Sequence, residues 1–286
     1  MYNQPITHLN RGAVIIVVDC SMSMQEQTYL NNICMSKISA VSVVCNFLID
    51  ELLERATRLG QVRNYYDIAV IGYHGDNVES MLEVKTPNNF VSIERLAETK
   101  PEHQSLSFEQ HTADGQLADA RFTLHEWVKP TAGGKTPMFQ ALATVYNMVD
   151  KWCSKPENRL SFPPIVFHIT DGEFNDCSES DLLNIARSIR ETKTKDGNTL
   201  LINIHLSSHN ELQSEIFPSE GSSSHLSPHY NLLYNMSSTL PEQLSMLVSS
   251  ISKPSGCGPY RGMAYNASAS ELLTILNIGS ESINLA

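Results

Sequence analysis

The sequence lacks a run of basic residues, a hydrophobic stretch long enough to span a membrane, and cysteines in the paired spacing of a metal or disulfide motif. Its 31 acidic residues outnumber its 20 basic residues, which gives a formal net charge of -11. A surface of this sign repels phosphate backbones and anionic lipids. We therefore expect neither nucleic-acid binding nor membrane binding.

An export signal is also missing from the first residues. Residues 1–11 are polar and have no apolar core of the kind that signal peptides contain. Without such a signal, the six cysteines are expected to be reduced thiols, as in the cytosol. The sequence therefore predicts a cytoplasmic protein without a disulfide framework.

What the chain does contain is an oxygen-rich segment directly after its first strongly apolar run. Val14 to Val18 are all aliphatic, which is typical of a strand buried on both faces of a parallel sheet. Asp19, Ser21 and Ser23 follow this run. Because open α/β sheets bind ligands at the carboxyl ends of their strands, we expect these side chains to form part of a site.

Two further segments supply oxygen atoms at similar places. Thr136 follows a pair of glycines and precedes a helical pattern, and Asp171 ends a second apolar run, Ile165 to Thr170. Together the three segments provide three hydroxyls and two carboxylates. Such an all-oxygen set suits a hard cation such as Mg2+ and is poor for zinc or copper.

At these positions the chain resembles the von Willebrand factor A domain family. The metal-ion-dependent adhesion site of that family consists of D-x-S-x-S, a distant Thr and a distant Asp, which are matched here by Asp19, Ser21, Ser23, Thr136 and Asp171. The resemblance implies that these residues hold Mg2+ or Mn2+. It also implies that the serines contact the metal directly, that the aspartates act largely through bound water, and that the threonine joins when a ligand is bound.

The resemblance further implies a function and a subfamily. Family members of this kind leave one coordination position of the metal open for an Asp or Glu of a partner protein. The missing export signal and the RGMAYNA stretch at 261–267 are similar to bacterial intracellular members that accompany tellurium-resistance-type stress proteins, kinases and phosphatases. This implies a protein partner, with a kinase or a phosphatase as candidates.

Each site residue taken alone also fits a structural role. Ser21 and Ser23 fit a turn or the N-cap of a following helix, and Thr136 before Pro137 has the form of an N-cap. Asp171 fits a turn after a strand. The joint occurrence of all of them at predicted strand ends favours the metal site.

The order of apolar patterns predicts an α/β fold of the Rossmann-like, three-layer type, in which helices cover both faces of a mostly parallel central sheet. We expect one domain over residues 11–252, with an insertion at about 97–121, and a C-terminal extension over 253–286. The clearest patterns indicate strands at 67–73, 165–170 and 200–206, and helices at 138–152, 180–191 and 241–251.

Other segments carry weaker patterns. The apolar spacing from Tyr29 to Leu59 indicates one long helix, and the insertion is expected to contain a helix at 114–128. The apolar residues of a short helix at 271–276 are expected to dock, either on the domain's own surface or on a partner. The remaining assignments are an edge strand at 81–85, a Ser-rich turn region at 221–228 and a last edge strand at 231–237.

Two enzyme classes compete with a binding role. A phosphate-binding P-loop that ends at Gly134, Lys135 and Thr136 requires glycine at position 129, where the chain has Lys129. The sequence also has no G-x-S-x-G elbow for a serine nucleophile. We therefore expect a divalent-cation-dependent protein-binding module and no enzyme activity, with a metal-dependent hydrolase or a phosphotransfer-associated enzyme as the alternative.

Overall fold

A computed structural model of the protein describes residues 1–111, 117–172, 174–207, 213–219, 227–251 and 258–281. Its α-helices are α1 (Lys37–Ala56), α2 (Ile93–Ala97), α3 (Met138–Cys153), α4 (Glu179–Glu191), α5 (Pro228–Met236), α6 (Glu242–Ile251) and α7 (Ala269–Glu281). Its strands are β1 (Gly12–Asp19), β2 (Gln27–Leu30), β3 (Ile33–Ser36), β4 (Thr57–Arg58), β5 (Gln61–Val62), β6 (Tyr66–His74), β7 (Asn77–Ser80), β8 (Val91–Ser92), β9 (His103–His111), β10 (Leu117–His125), β11 (Ile165–Thr170), β12 (Leu200–Leu206), β13 (Glu215–Ile216) and β14 (Met263–Ala267).

A mixed eight-stranded sheet forms the centre of the fold. Its strand order is β13-β14-β12-β11-β1-β6-β7, and β8 also pairs with β6. β14, β12, β11, β1 and β6 run parallel to one another, whereas β13, β7 and β8 pair antiparallel. The predicted mostly parallel sheet is confirmed.

Helices cover both faces of this sheet. Alternate residues of β1 point to opposite faces, as the pleat of a strand requires. Val14, Ile16 and Val18 join a core cluster with residues of α1, α6 and α7, and Ile15 and Val17 join a second cluster with residues of α3, α4 and α5. The molecule is thus a three-layer α/β structure, as predicted.

The order in which strands are added to the sheet reverses at β1, although β1 and its two neighbours run parallel. After β1 the chain forms β6 on one side of it, and it later returns to place β11 on the other side. In open α/β sheets, the carboxyl ends of strands at such a switch point form a crevice. Asp19, the last residue of β1, lies at this crevice.

The segments with the clearest apolar patterns are confirmed as elements. β6, β11 and β12 match the predicted strands, and α3, α4 and α6 match the predicted helices to within two residues at either end. These segments combine an uninterrupted apolar run or a regular helical period with clear boundaries, which is the strongest signal that a single sequence carries.

The single helix predicted from Tyr29 to Leu59 is wrong in its first part. Residues before Lys37 form the hairpin of β2 and β3, and only α1 is helical. Asn31 and Asn32 have φ values of +47° and +67° and connect the two strands. Two consecutive positive φ angles are characteristic of a type I′ hairpin turn, which asparagine tolerates well.

The edge strand predicted at 81–85 is also wrong. β7 begins earlier, at Asn77, because a two-residue turn with Gly75 at φ +59° folds the chain directly back on β6. Beyond β7, Leu82 makes only an isolated bridge to Val128.

The insertion forms a β-hairpin and not the helix predicted at 114–128. β9 and β10 pair antiparallel, with His103 opposite His125 at one end and His111 opposite Leu117 at the other. Residues 112–116 between the two strands lie outside the described part of the chain. The hairpin is attached to α1 through Asp50, whose carboxylate accepts hydrogen bonds from the His125 backbone N–H (3.1 Å) and from Trp127 Nε1 (2.7 Å). Pairing of β9 with β10 satisfies the backbone N–H and C=O groups of this long connection without a helix.

The edge strand predicted at 231–237 is a helix, α5. Pro228 occupies its first turn, and Tyr230, Leu233 and Met236 are buried at a spacing of three residues. This spacing is helical and not alternating. The Ser-rich turn region predicted at 221–228 lies almost wholly outside the described residues.

The C-terminal segment contributes to the same sheet and core. β14 lies between β12 and β13, and α7 packs against α1, which bears out docking on the protein's own surface. Leu272, Ile275 and Leu276 are fully buried. Ser270 Oγ also donates to Asn31 Oδ1 (3.2 Å), so α7 is attached to the tip of the β2–β3 hairpin.

We predict that Leu272→Ala lowers the free energy of unfolding by about 2–4 kcal/mol, because it leaves a cavity between α7 and α1. Leu160→Ala is the matched control, since Leu160 is 53% exposed, and it is expected to change stability by less than about 0.5 kcal/mol. Urea denaturation followed by circular dichroism measures both. Equal effects of the two substitutions would contradict the packing of α7 described here.

Candidate metal centre

Asp19 forms the floor of the crevice at the end of β1. It is fully buried, and its two carboxylate oxygens are held by different segments. Oδ1 accepts a hydrogen bond from the Ser21 backbone N–H (2.9 Å), and Oδ2 accepts one from Thr170 Oγ1 (3.0 Å). Burial raises the pKa of Asp19 to about 6, and the nearby charge of Asp171 adds to this rise.

Ser21 and Ser23 present their hydroxyls to one another. Their Oγ atoms are 3.0 Å apart, within a short 3-10 turn, and Ser21 makes no side-chain capping bond there. The N-cap of α1 is Ser36, whose Oγ accepts from the Ser39 backbone N–H (3.2 Å). The alternative that the two serines cap this helix is therefore wrong.

The loop that carries Thr136 is hydrogen-bonded to the loop after β1. The Gly133 N–H donates to the Cys20 carbonyl (2.8 Å), and the Met22 N–H donates to the Gly134 carbonyl (3.2 Å). Gly134 has φ +76°, and a Cβ atom there would lie 3.0 Å from the backbone of Gly75. Glycine is therefore required for this close approach.

The side chain of Thr136 does not cap α3. It is buried, and the helix has no side-chain capping bond at its first position. The free amides of the first turn are bound by Asp176, which accepts from the N–H groups of Phe139 (3.2 Å) and Gln140 (3.1 Å). The N-cap interpretation of Thr136 is therefore wrong, and Asp176 satisfies the start of α3 instead.

Asp171 follows β11 and completes the group. Its Oδ2 is 3.4 Å from Lys37 Nζ, whereas its Oδ1 is buried and has no hydrogen-bond partner. A buried carboxylate oxygen without a partner is costly, since it has lost its hydration without compensation. This oxygen is therefore open to a further partner in the crevice.

His205 supports Asp171 from β12. Its Nε2 donates to the Asp171 carbonyl (3.0 Å), and its Nδ1 accepts from the Asn266 N–H (3.2 Å). Burial lowers the pKa of His205 to about 4, so the ring is neutral at pH 7. Both ring nitrogens are occupied, which leaves His205 a positioning role.

Sequence reasoning missed the residues that hold the predicted ligands in place. Thr170 binds Asp19, His205 binds Asp171, and Lys37 lies between Asp171 and Glu26. The position of Thr170, directly before Asp171 at the end of an apolar run, was a usable signal. Lys37 gave no such signal, because the apolar spacing predicted that it lies within one long helix.

The residues present fit a small hard cation. Among the described residues, no three His, Cys, Asp or Glu side chains lie together in a way that would hold a metal. The candidate centre therefore depends on hydroxyl oxygens in addition to its two carboxylates, and that donor set suits Mg2+ or Mn2+. Cys20 is no competing ligand, since its thiol is buried and burial raises its pKa to about 12.

No protein-family model and no curated protein matches the sequence. Among solved structures, the chain is similar to a von Willebrand factor type A structure from Catenulispora acidiphila, with 15% identity, a TM-score of 0.38, and coverage of 69% of this chain and 33% of that one. This chain thus spans about a third of the length of that structure.

Two further structures are similar to parts of the chain. The N-terminal domains of the type V pili tip protein Mfa5 from Porphyromonas gingivalis share 12% identity over 58% of this chain and 20% of that one, with a TM-score of 0.33. An uncharacterized membrane spanning protein from Vibrio fischeri shares 14% identity over 68% of this chain and 71% of that one, with a TM-score of 0.28. In the described part of the present chain, no helix has the length and apolar character needed to cross a membrane.

Because the pKa of Asp19 is raised, we predict that the free energy of unfolding of the metal-free protein, measured in a chelator, depends on pH. The folded state binds this proton more tightly than the unfolded chain, so the contribution of Asp19 is fully present below about pH 4 and is lost as the pH rises through about 6. The isosteric variant Asp19→Asn does not titrate. Its stability relative to wild type should therefore increase by about 2 kcal/mol between pH 4 and pH 7.

Denaturant titrations in EDTA at several pH values measure this difference. Asp150→Asn is the matched control, because Asp150 is exposed on α3. A difference for Asp19→Asn that does not change with pH would show that Asp19 is not buried as described.

Proposed function

We propose that the protein is a divalent-cation-dependent protein-binding module. In this proposal Asp19, Ser21, Ser23, Thr136 and Asp171 hold Mg2+ or Mn2+ at the carboxyl edge of the sheet. The observation that carries the proposal is the buried, unpartnered Oδ1 of Asp171, at the same sheet edge as two serine hydroxyls that bond to one another. A bound cation would supply a positive charge with a coordination position open to a carboxylate.

The protein's own groups prepare the site for this role. Ser21 N–H and Thr170 fix both oxygens of Asp19, and His205 fixes the backbone at Asp171. Because these bonds come from separate elements of the sheet, the oxygens are held before any ligand arrives, which lowers the entropic cost of binding. Hydroxyl donors are neutral and leave the cation most of its charge, which favours an acidic group on the partner.

Exposed side chains around the crevice provide a surface for such a partner. Met22, between the two serines, is 59% exposed although it is large and apolar. Lys135 is also exposed, next to Thr136. An apolar contact combined with positive charge fits a protein segment that presents Asp or Glu between hydrophobic residues.

We predict that wild type binds Mn2+ and Mg2+ at one site and that Asp19→Ala weakens binding by at least about tenfold, because it removes a buried carboxylate. Isothermal titration of the chelator-treated protein with MnCl2 and MgCl2 measures the affinity. Asp76→Ala is the matched control. Asp76 is an exposed carboxylate just beyond β6 at the same edge of the sheet, and its removal should leave the affinity nearly unchanged.

Equal affinities of wild type and Asp19→Ala, or no binding by wild type, would contradict the metal centre. Circular dichroism of each variant verifies that it is folded. Loss of binding in a folded Asp19→Ala protein then reports on the site and not on the fold.

We predict that partner capture depends on the cation. Immobilised wild type should retain a protein from cell lysate in Mg2+ and release it in EDTA, whereas Asp19→Ala should retain none and Asp76→Ala should retain it normally. Replacement of single Asp or Glu residues of the retained protein then identifies the carboxylate that completes the site. A kinase or a phosphatase among the retained proteins would agree with the family resemblance.

The proposal includes no catalysis. Purified protein with Mg2+ should therefore hydrolyse ATP, phosphoesters and simple esters no faster than the Ser21→Ala, Ser23→Ala double variant does. Metal-dependent turnover that is lost in the double variant would replace the binding module with the hydrolase alternative.

A further inference from the structure

We propose that Lys37 is a built-in counter-charge that lowers the affinity of the candidate centre for divalent cations and so makes metal binding reversible. This inference rests on the function proposed above. It concerns a residue outside the D-x-S-x-S, Thr and Asp pattern, on the first turn of α1.

Lys37 is a buried cation in direct contact with the centre. Its side chain is 4% exposed, and its Nζ lies 2.9 Å from Glu26 Oε2 and 3.4 Å from Asp171 Oδ2. Its backbone N–H donates to the Glu26 carbonyl (2.9 Å), which holds the start of α1 against the loop after the first motif. The ammonium group is therefore fixed beside Asp171.

This position is unfavourable for a lysine on grounds of stability. The N-terminus of a helix carries a partial positive charge, which repels a cation there. Removal of the ammonium group from water adds a further cost, and ion pairs in such places are often no more stabilising than apolar side chains of similar size. Its two carboxylate partners, Asp171 and Glu26, offset this cost, so charge and not packing holds the lysine at this point.

The charge does have a consequence for the metal site. The two carboxylate oxygens of Asp171 differ in their surroundings. Oδ2 faces Lys37, whereas Oδ1 has no hydrogen-bond partner. Without a metal, Lys37 compensates the negative charge that Asp171 would otherwise hold beside the buried Asp19. With a metal, the same ammonium repels the incoming cation at short range in a poorly solvated crevice.

Both effects lower the affinity of the centre for a divalent cation. Lys37 stabilises the metal-free state through Asp171 and destabilises the metal-bound state through repulsion of the cation. A centre with this arrangement releases its metal more readily than one formed by the same five ligands alone.

The decisive variant is Lys37→Met, which removes the charge and keeps an unbranched side chain of similar length. We expect the affinity for Mn2+ in isothermal titration to rise by about tenfold or more. We also expect the melting temperature in EDTA to fall, because Asp171 and Glu26 lose their shared cation, whereas saturating Mn2+ should restore it to near the wild-type value.

Two controls separate this effect from net charge. Lys151→Met makes the same change in net charge at an exposed position in the last turn of α3, and it should leave the affinity for Mn2+ unchanged. Lys37→Arg keeps the positive charge, so its affinity for Mn2+ should stay closer to that of wild type than to that of Lys37→Met.

Glu26→Gln is a second test that does not disturb the core, since the side chain of Glu26 is 57% exposed. It removes the second negative charge that faces the ammonium group and keeps an acceptor oxygen, so the affinity for Mn2+ should fall, and the fall should be smaller in a Lys37→Met background. An affinity that is unchanged or raised by Glu26→Gln overturns the inference.

The outcomes distinguish this inference from the function on which it rests. If wild type and Lys37→Met bind Mn2+ with equal affinity, or if the variant binds more weakly, Lys37 is not a counter-charge although the metal centre stands. If neither protein binds Mn2+ or Mg2+, the proposed function and this inference both fail.

Discussion

The parallel pairing of β1 with both β6 and β11 is the constraint on which the rest of the structure depends. Val18 lies opposite Ile169 in β11 and opposite Gly72 in β6, so that the ends of all three strands lie at the same level. This register places Asp19 next to Thr170 and brings Asp171 to the same crevice. A shift of β1 by one residue would turn each of its side chains into the opposite layer of the core and would move Asp19 away from Thr170, so the packing of the two layers fixes the site geometry.

Burial of charge at this crevice is the second determinant. Asp19, Lys37 and the Asp171 side chain all lie away from solvent, at the ends of strands and at the start of a helix. In such a place each hydrogen bond and each charge has a larger effect than at the surface, because water does not screen it. Thr170, the Ser21 backbone and His205 satisfy most of these groups, and Asp171 Oδ1 is left without a hydrogen-bond partner.

Particular segments illustrate what was predictable from the sequence. The apolar runs of β1, β6, β11 and β12 and the helical period of α3 and α4 were recognised, since each is long, regular and clearly bounded. The β2–β3 hairpin was mistaken for helix, because the apolar spacing of three and four residues that begins at Ile38 was extended back over it and the two-residue asparagine turn was overlooked. β14 was missed because its five residues follow a glycine-rich stretch and gain their strand identity from the neighbouring β12.

The sequence by itself determined the fold class, the order of the main strands and helices, and the five candidate ligands, since apolar periodicity and the chemistry of side chains at strand ends are local properties. Only the tertiary structure decided which groups hold those ligands. Lys37 reaches Asp171 across 134 positions of sequence and Thr170 reaches Asp19 across 151, and such contacts have no local pattern. They arise from strand order and register, which depend on the packing of the whole sheet between its two layers of helices.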